Sequence, residues 1–285
     1  MTKVLVTGGS GKLGRAVLRD LVAHGYEVLN IDQQALSEPI CPTVRIDLTN
    51  FGEVAAAILG GVDERKGPFD AVVHLAAIPA PGLAANARTF ANNVTTSYNV
   101  FEACRPAGIK NVVFASSETV LGLPFDNPPP YAPVDEEYFP RPKAPIRWAS
   151  CSTKPWPPNI AAGTRPCAWS ACAFPTLCTR KTTRPSPNST QIHAAANGTC
   201  GAISTPTTAP GPSAVLSRAD FTGFEAFIIA NADTVMSRSN MSLLAEVFPN
   251  VEQKGNIATN STLLSIEKAK RMLGYSPQFS WRNEV

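Results

Sequence analysis

Eight residues near the N-terminus, Thr7-Gly8-Gly9-Ser10-Gly11-Lys12-Leu13-Gly14, constrain the fold of this chain more than any other feature. Gly8, Gly11 and Gly14 recur at every third position, and what flanks them is specific. Before them, Lys3-Val4-Leu5-Val6 is a short apolar run of the kind that becomes a buried parallel strand. After them, Leu13, Val17, Leu18, Leu21 and Val22 recur at helical spacing as far as Gly25, which stops the helix. A glycine loop between a strand and an amphipathic helix lets an anion approach the helix N-terminus, where unpaired N–H groups and the helix dipole favour negative charge. Side chains at Gly8, Gly11 and Gly14 are expected to block a pyrophosphate there.

The alternation then continues. Strands are expected at 26–31, ending on Asp32, at 43–46, ending on Asp47, at 71–75 and at 111–117, with helices at 51–59 and 88–107. Such spacing predicts an α/β fold: a Rossmann-type, doubly wound parallel sheet with a small C-terminal substrate part. Asp32 follows Gly14 by 18 residues, where a carboxylate accepts hydrogen bonds from the adenosine ribose hydroxyls. It would repel a 2′-phosphate, and Gln33 and Gln34 follow rather than Arg, so NAD is expected over NADP. Asp47 and Leu48 end the third strand beside the expected adenine pocket.

Bulk properties exclude several classes. A net charge of +3 gives no reason for a nucleic-acid or acidic-membrane partner. No apolar run approaches the ~18–20 residues that span a bilayer, and no signal peptide precedes the first strand, so a cytoplasmic protein is expected. The seven cysteines contain no C-x-x-C pair, and no metal site is expected.

Composition breaks in the middle of the chain. From Tyr138 to Ala219, 82 residues, there is no Asp or Glu. Five of the seven cysteines and three of the four tryptophans lie in the same region, and residues 145–212 hold 11 prolines without a period of either 2 or 3.6. Regular patterning resumes with a strand at 223–230 and helices at 240–248 and 265–273, the second capped by Gly274. Three regions follow: 1–140, an NAD-binding domain; 141–215, anomalous; and 216–285, a C-terminal strand and helices forming the substrate part.

In order and spacing, these residues resemble the extended short-chain dehydrogenase/reductases, specifically the NAD-dependent epimerase/dehydratases that act on sugar nucleotides. Thr7-Gly8-x-x-Gly11-x-x-Gly14 resembles that family's glycine motif, Asp47-Leu48 its adenine-side Asp-Leu, and His74-Leu75-Ala76-Ala77 its His-x-Ala-Ala segment under the pyrophosphate and ribose. Asn93-Val94 is similar to its Asn-Val on the helix before the catalytic strand. Ser116-Ser117-Glu118-Thr119-Val120-Leu121-Gly122 resembles Ser-Ser-x-x-Val-Tyr-Gly, and the stretch from Leu264 to Pro277 resembles the closing helix with its Leu-Gly-aromatic-x-Pro stop. The resemblance implies a cofactor site comprising Gly8, Ser10, Gly11, Lys12, Leu13, Gly14, Asp32, Asp47, Leu48, Ala76, Ala77 and Asn93, with Ser117 as the catalytic hydroxyl. It implies NAD as cofactor, a sugar or sugar nucleotide as substrate, and a homodimer through the helix at 88–107.

The family pairs that Ser with a Tyr, lowered in pKa by a Lys four residues on, which moves the proton while hydride passes to or from nicotinamide. Here no tyrosine lies between Tyr138 and Tyr275, and neither Tyr131 nor Tyr138 has Lys at the fourth following position. The segment 145–212 reads as a disordered insertion, a diverged substrate domain or a stretch translated out of frame. Abundant Trp and Cys disfavour the first, and the missing acidic residues disfavour the second. Shifting the frame by one base at Pro145 permits Tyr-Ser-Leu-Gly-Lys across 145–150, and the same shift permits Gly-Tyr-Ile-Asp-Ala across 201–206. Both resemble family motifs in the expected order, which favours the frameshift. The parent protein is thus expected to be an NAD-dependent epimerase, dehydratase or dehydrogenase. The chain as written is expected to be impaired, and a non-catalytic NAD-binding regulator or a catalytically dead product is the alternative.

Overall fold

The computed structural model describes residues 1–62, 68–80, 82–121, 125, 128–138, 168–174, 223–234, 236–277, 280 and 282. Apart from 168–174, the anomalous segment lies outside the described residues, including both stretches where a shifted frame restores a family motif. The described residues fall into two compact units, the first formed mainly by 1–116 and the second mainly by 117–138 and 227–282.

In the first unit β1 (Lys3–Thr7) leads through the glycine loop into α1 (Lys12–Ala23), then β2 (Glu27–Asp32), β3 (Thr43–Arg45), α2 (Phe51–Ile58), β4 (Ala71–His74), α3 (Asn86–Cys104) and β5 (Asn111–Ser117). The sheet runs β3-β2-β1-β4-β5 and continues through β7 (Ala168–Phe174) to β8 (Gly223–Ile228). The pairs β2–β3, β1–β2, β1–β4 and β4–β5 are parallel. The order reverses between β1 and β4, so the chain leaves the sheet in opposite directions there and opens a crevice at the strands' C-terminal ends. Thr7 and His74 are register partners at that point.

Period 2 in the strands decides the layers. Leu5, Leu29, Val72 and Val112 join one core with α2 and α3, filled by Phe101 and Phe114, whose rings meet edge to face at 5.2 Å. The intervening Val4, Val6 and Val73 are equally buried and face the opposite way. Helix α1 turns Val17, Leu18 and Leu21 inward, while Val22, part of the same apolar recurrence, is 43 % exposed at its edge. Helix α3 starts two residues before its expected beginning and ends three before its expected end, its last turn giving way to Gly108 at φ +67°. Among the described residues no helix is long and apolar enough to cross a membrane.

The second unit contains a 3-10 turn (Glu118–Leu121), β6 (Tyr131–Ala132), α4 (Asn240–Val247), β9 (Glu252–Gln253) and α5 (Glu267–Leu273). β6 and β9 form a separate parallel pair. Gly274 closes α5 in the left-handed conformation, as its place in the sequence predicts.

Candidate functional site

Hydrogen bonds within the protein take up every amide from Gly8 to Gly11. Gly8 N–H donates to the Ile31 carbonyl (3.1 Å), Gly9 N–H to Asn30 Oδ1 (2.9 Å), Ser10 N–H to Asp32 Oδ2 (3.0 Å) and Gly11 N–H to the Gly8 carbonyl (3.2 Å). Helix α1 begins at Lys12, with Gly11 as its N-cap, and carries neither a side-chain cap nor an acidic residue in its first turn. The amides of Lys12, Leu13 and Gly14 therefore lack the i−4 partners that later residues have. Three donors and the positive end of a 12-residue helix point out of the loop.

The glycines divide by cause. At Gly8, with φ +73°, a Cβ would lie 2.6 Å from the Ala76 nitrogen, and at Gly14 it would overlap the Gly8 carbonyl oxygen. The protein's own backbone excludes side chains at these two positions, rather than a pyrophosphate as the sequence suggests. At Gly11, among the described residues and apart from its chain neighbours, the Gly8 oxygen at 3.3 Å is the sole protein atom within 4 Å of a built Cβ. Gly11 is thus the position where a side chain would occupy the space over the helix terminus, and the cradle there fits a dinucleotide's pyrophosphate.

Asp32 ends β2 and serves the loop as well as the crevice. Its Oδ2 takes the Ser10 amide and its Oδ1 the Gln34 amide at 3.0 Å, while the Ser10 hydroxyl donates to the Gln34 carbonyl (2.7 Å). Each carboxylate oxygen keeps a second lone pair for a ribose hydroxyl. Asp47 is exposed, and the amide and hydroxyl of Thr49 hold its carboxyl below the usual range, with Gln33 Nε2 adding a third donor at 3.1 Å. Leu48 is buried, and its carbonyl accepts from Asn99 Nδ2 of α3 (2.9 Å).

The Thr7 hydroxyl accepts the Leu75 and Ala76 amides at 3.2 and 3.3 Å, so its own hydrogen goes to His74 Nδ1 at 2.7 Å. Nδ1 is then the acceptor of the ring, and Nε2–H donates to Ser97 Oγ (3.2 Å). Burial pushes His74 down to about 4, so the ring is neutral and structural: it ties β1, β4 and α3 together beneath the crevice. Asn93 works on the chain just beyond. Its Oδ1 accepts the Ile78 amide (2.8 Å) and its Nδ2 donates to the Ile78 carbonyl (3.1 Å), which fixes the segment carrying Ala76 and exposed Ala77. Ser117 is the last residue of β5, and the hydroxyl of its neighbour Ser116 is buried with no hydrogen-bond partner among the described residues.

Sequence reasoning passed over Asn30, Ser97 and Asn99. Asn30 is fully buried in β2, and its signal was available: a lone amide inside the apolar run Val28-Leu29-Asn30-Ile31.

This geometry defines a class, the dinucleotide-binding domain of doubly wound α/β type. The chain belongs to the NAD dependent epimerase/dehydratase family, whose sequence model matches residues 4–146. A UDP-glucose 4-epimerase of Klebsiella pneumoniae is 35% identical over 131 residues, which are 42% of this chain and 92% of that protein. A UDP-glucose 4-epimerase of Caenorhabditis elegans is 31% identical over 147 residues, 44% of this chain, and the match spans 40% of the relative's length. Among solved structures, a short-chain dehydrogenase/reductase superfamily protein from Agrobacterium tumefaciens with bound NAD shares the fold at TM-score 0.70 and 19% identity, over 98% of this chain and 94% of that one.

Proposed function

We propose that this chain binds NAD across the β1–β4 crevice and descends from an enzyme that acts on a sugar or sugar nucleotide. One observation carries the proposal: every amide from Gly8 to Gly11 is bonded to the protein, while those of Lys12, Leu13 and Gly14 remain open at an uncapped helix terminus. In this arrangement the three amides hold the pyrophosphate, Asp32 accepts the adenosine ribose hydroxyls, and Asp47 with Leu48 borders the adenine. Gly8, Ser10 and Gly14 shape the loop, and Asn93 sets the path of Ala76 and Ala77 beside the ribose. NAD, when bound, supplies a hydride acceptor and donor. Ser117 orients the substrate hydroxyl or carbonyl by hydrogen bonding. A proton donor equivalent to the family's tyrosine is missing from the sequence, so a folded chain is expected to bind NAD and turn substrate over poorly if at all. The domain division at 140 and 215, a homodimer through α3 and a cytoplasmic location belong to the same proposal.

Calorimetric titration of the full chain with NAD and, separately, NADP tests the cofactor assignment, with NAD expected to bind the tighter. A well-folded chain that takes up neither, or prefers NADP, overturns it. The alternative, a regulator that kept the cofactor half and lost the proton donor, is favoured by the absent Tyr-x-x-x-Lys. Sequencing the encoding DNA separates the two: an uninterrupted natural frame through 145–212 supports the regulator, and a compensating insertion and deletion support the misframed enzyme.

A further inference from the structure

We propose that Asn30, held from β3 by Thr43, is a positioning residue for dinucleotide binding, fixing the glycine loop so that the Lys12, Leu13 and Gly14 amides converge on one anion. The inference rests on the NAD assignment above and adds a residue outside the glycine motif. Asn30 has no exposed surface, and a strand interior between Leu29 and Ile31 favours an apolar side chain. Its amide is oriented at both ends. Oδ1 accepts the Gly9 N–H at 2.9 Å, a group that can only donate. Nδ2 donates to Thr43 Oγ1 at 3.2 Å and makes a longer contact with Ser10 Oγ at 3.4 Å. Both hydroxyls are committed as donors elsewhere, Thr43 to the Cys41 carbonyl and Ser10 to the Gln34 carbonyl, so each meets Asn30 as an acceptor. A flipped amide would put two donors at Gly9 and an oxygen against Thr43, and the directions would fail together.

Asn30 and Gly9 are matched in shape as well, since a Cβ on Gly9 would overlap Asn30 Oδ1. The side chain thus occupies the space that Gly9 leaves and pins the amide that, of the four from Gly8 to Gly11, is bonded to neither a backbone carbonyl nor a carboxylate among the described residues. With that amide released, the loop retains its attachments at Gly8 and Ser10 but loses its fixed middle. The three open amides then no longer present a preorganised cradle.

The test compares ligands that use the loop with one that does not. Full-length Asn30→Leu, Thr43→Val and Thr43→Ser are titrated with NAD, ADP-ribose and adenosine, alongside thermal melts. Asn30→Leu is expected to weaken NAD and ADP-ribose about tenfold relative to adenosine. Thr43→Val is expected to weaken them about threefold, and Thr43→Ser to restore wild-type ratios because it keeps the hydroxyl. The ratio separates positioning from simple destabilisation, which lowers the melting temperature without changing preference among ligands. An unchanged ratio in Asn30→Leu overturns the proposal. If that variant does not fold, the Thr43 pair decides: a threefold loss in Thr43→Val rescued by Thr43→Ser supports it, and no loss overturns it. Wild-type chain that binds no NAD overturns the cofactor assignment, and this inference with it.

Discussion

The two units bury polar groups in different ways. In the first, Thr7, Asn30, His74, Asn93 and Asn99 sit at or beside the C-terminal ends of the strands, and each ties a loop or helix to the crevice. In the second, Asn231, Thr234, Asn240 and Thr262 gather where residues 231–234 run beside 259–262 and where α4 begins. Asn240 Nδ2 donates to the carbonyls of Ala258 and Ser261 at 2.9 and 2.8 Å, yet its Oδ1 and that of Asn231 have no hydrogen-bond partner among the described residues. The first unit thus spends buried polarity on a ligand crevice over an apolar core. The second uses it as an internal frame, and among the described residues both units leave some buried polar atoms unpaired, Ser116 Oγ in the first as well as Asn240 Oδ1 in the second.

The largest expected effect tests whether this contrast is thermodynamic. Phe101 is fully buried against Phe114 and 6.1 Å from the His74 ring. Phe101→Ala should cost about 3–5 kcal/mol, read by urea denaturation. Hydrogen exchange at Phe227 to Ala230 shows whether the second unit follows. Loss of protection there at the same denaturant concentration would make the units one cooperative block and remove the contrast.

Acid should act chiefly on the first unit. Burial holds His74 at about 4 in the folded chain, below the ordinary histidine value of 6.5 that it regains on unfolding, so between those values the unfolded chain binds more protons. Its contribution is complete above about pH 6.5 and is lost progressively as pH falls towards 4, by about 3 kcal/mol. His74→Gln should flatten that part of the stability profile, measured by denaturant midpoints between pH 4 and 7.5. A profile in the variant as steep as in wild type would assign the acid sensitivity elsewhere.

Glycine substitutions sharpen the division within the loop. Gly11→Ala keeps an extended backbone that alanine accepts and, among the described residues beyond its chain neighbours, meets the Gly8 oxygen alone, so the melting temperature should change little while NAD affinity falls about tenfold or more. Gly14→Ala drives a methyl group into the Gly8 carbonyl and should lower stability and affinity together. Equal melting temperatures for the two variants would show that the loop yields more easily than its hydrogen bonds indicate.

What the sequence revealed follows the same line. The five parallel strands from β1 to β5, the three helices between them and the glycine loop were legible because each carries a local signal, period 2, period 3.6 or a turn residue, that agrees with its tertiary role. β6 and β9 are two residues each and exist through pairing with one another across more than a hundred positions, which no local pattern records. β7 lies in the stretch without a period and takes its place between β5 and β8 from the sheet. Asn30 escaped for another reason. A buried amide in a strand looks like a flaw in the pattern until its partners Gly9, Ser10 and Thr43 are seen around it.

The smallest expected effect compares the units through equivalent parts, their helix N-caps. Asn50 caps α2 with two bonds from one oxygen, accepting the amides of Gly52 (3.0 Å) and Glu53 (3.4 Å). Ser239 caps α4 with one, from Ser242 at 3.3 Å. Asn50→Ala should cost about 1 kcal/mol and Ser239→Ala about half of that. Neither residue lies in the crevice, so NAD affinity should stay at the wild-type value in both, and exchange measurements should show protection falling near the altered helix. If Ser239→Ala lowers protection in α2 as much as Asn50→Ala does, the second unit's polar frame supports the cofactor half directly. The difference in how the two units bury polarity would then be one of composition alone, without separate stability behind it.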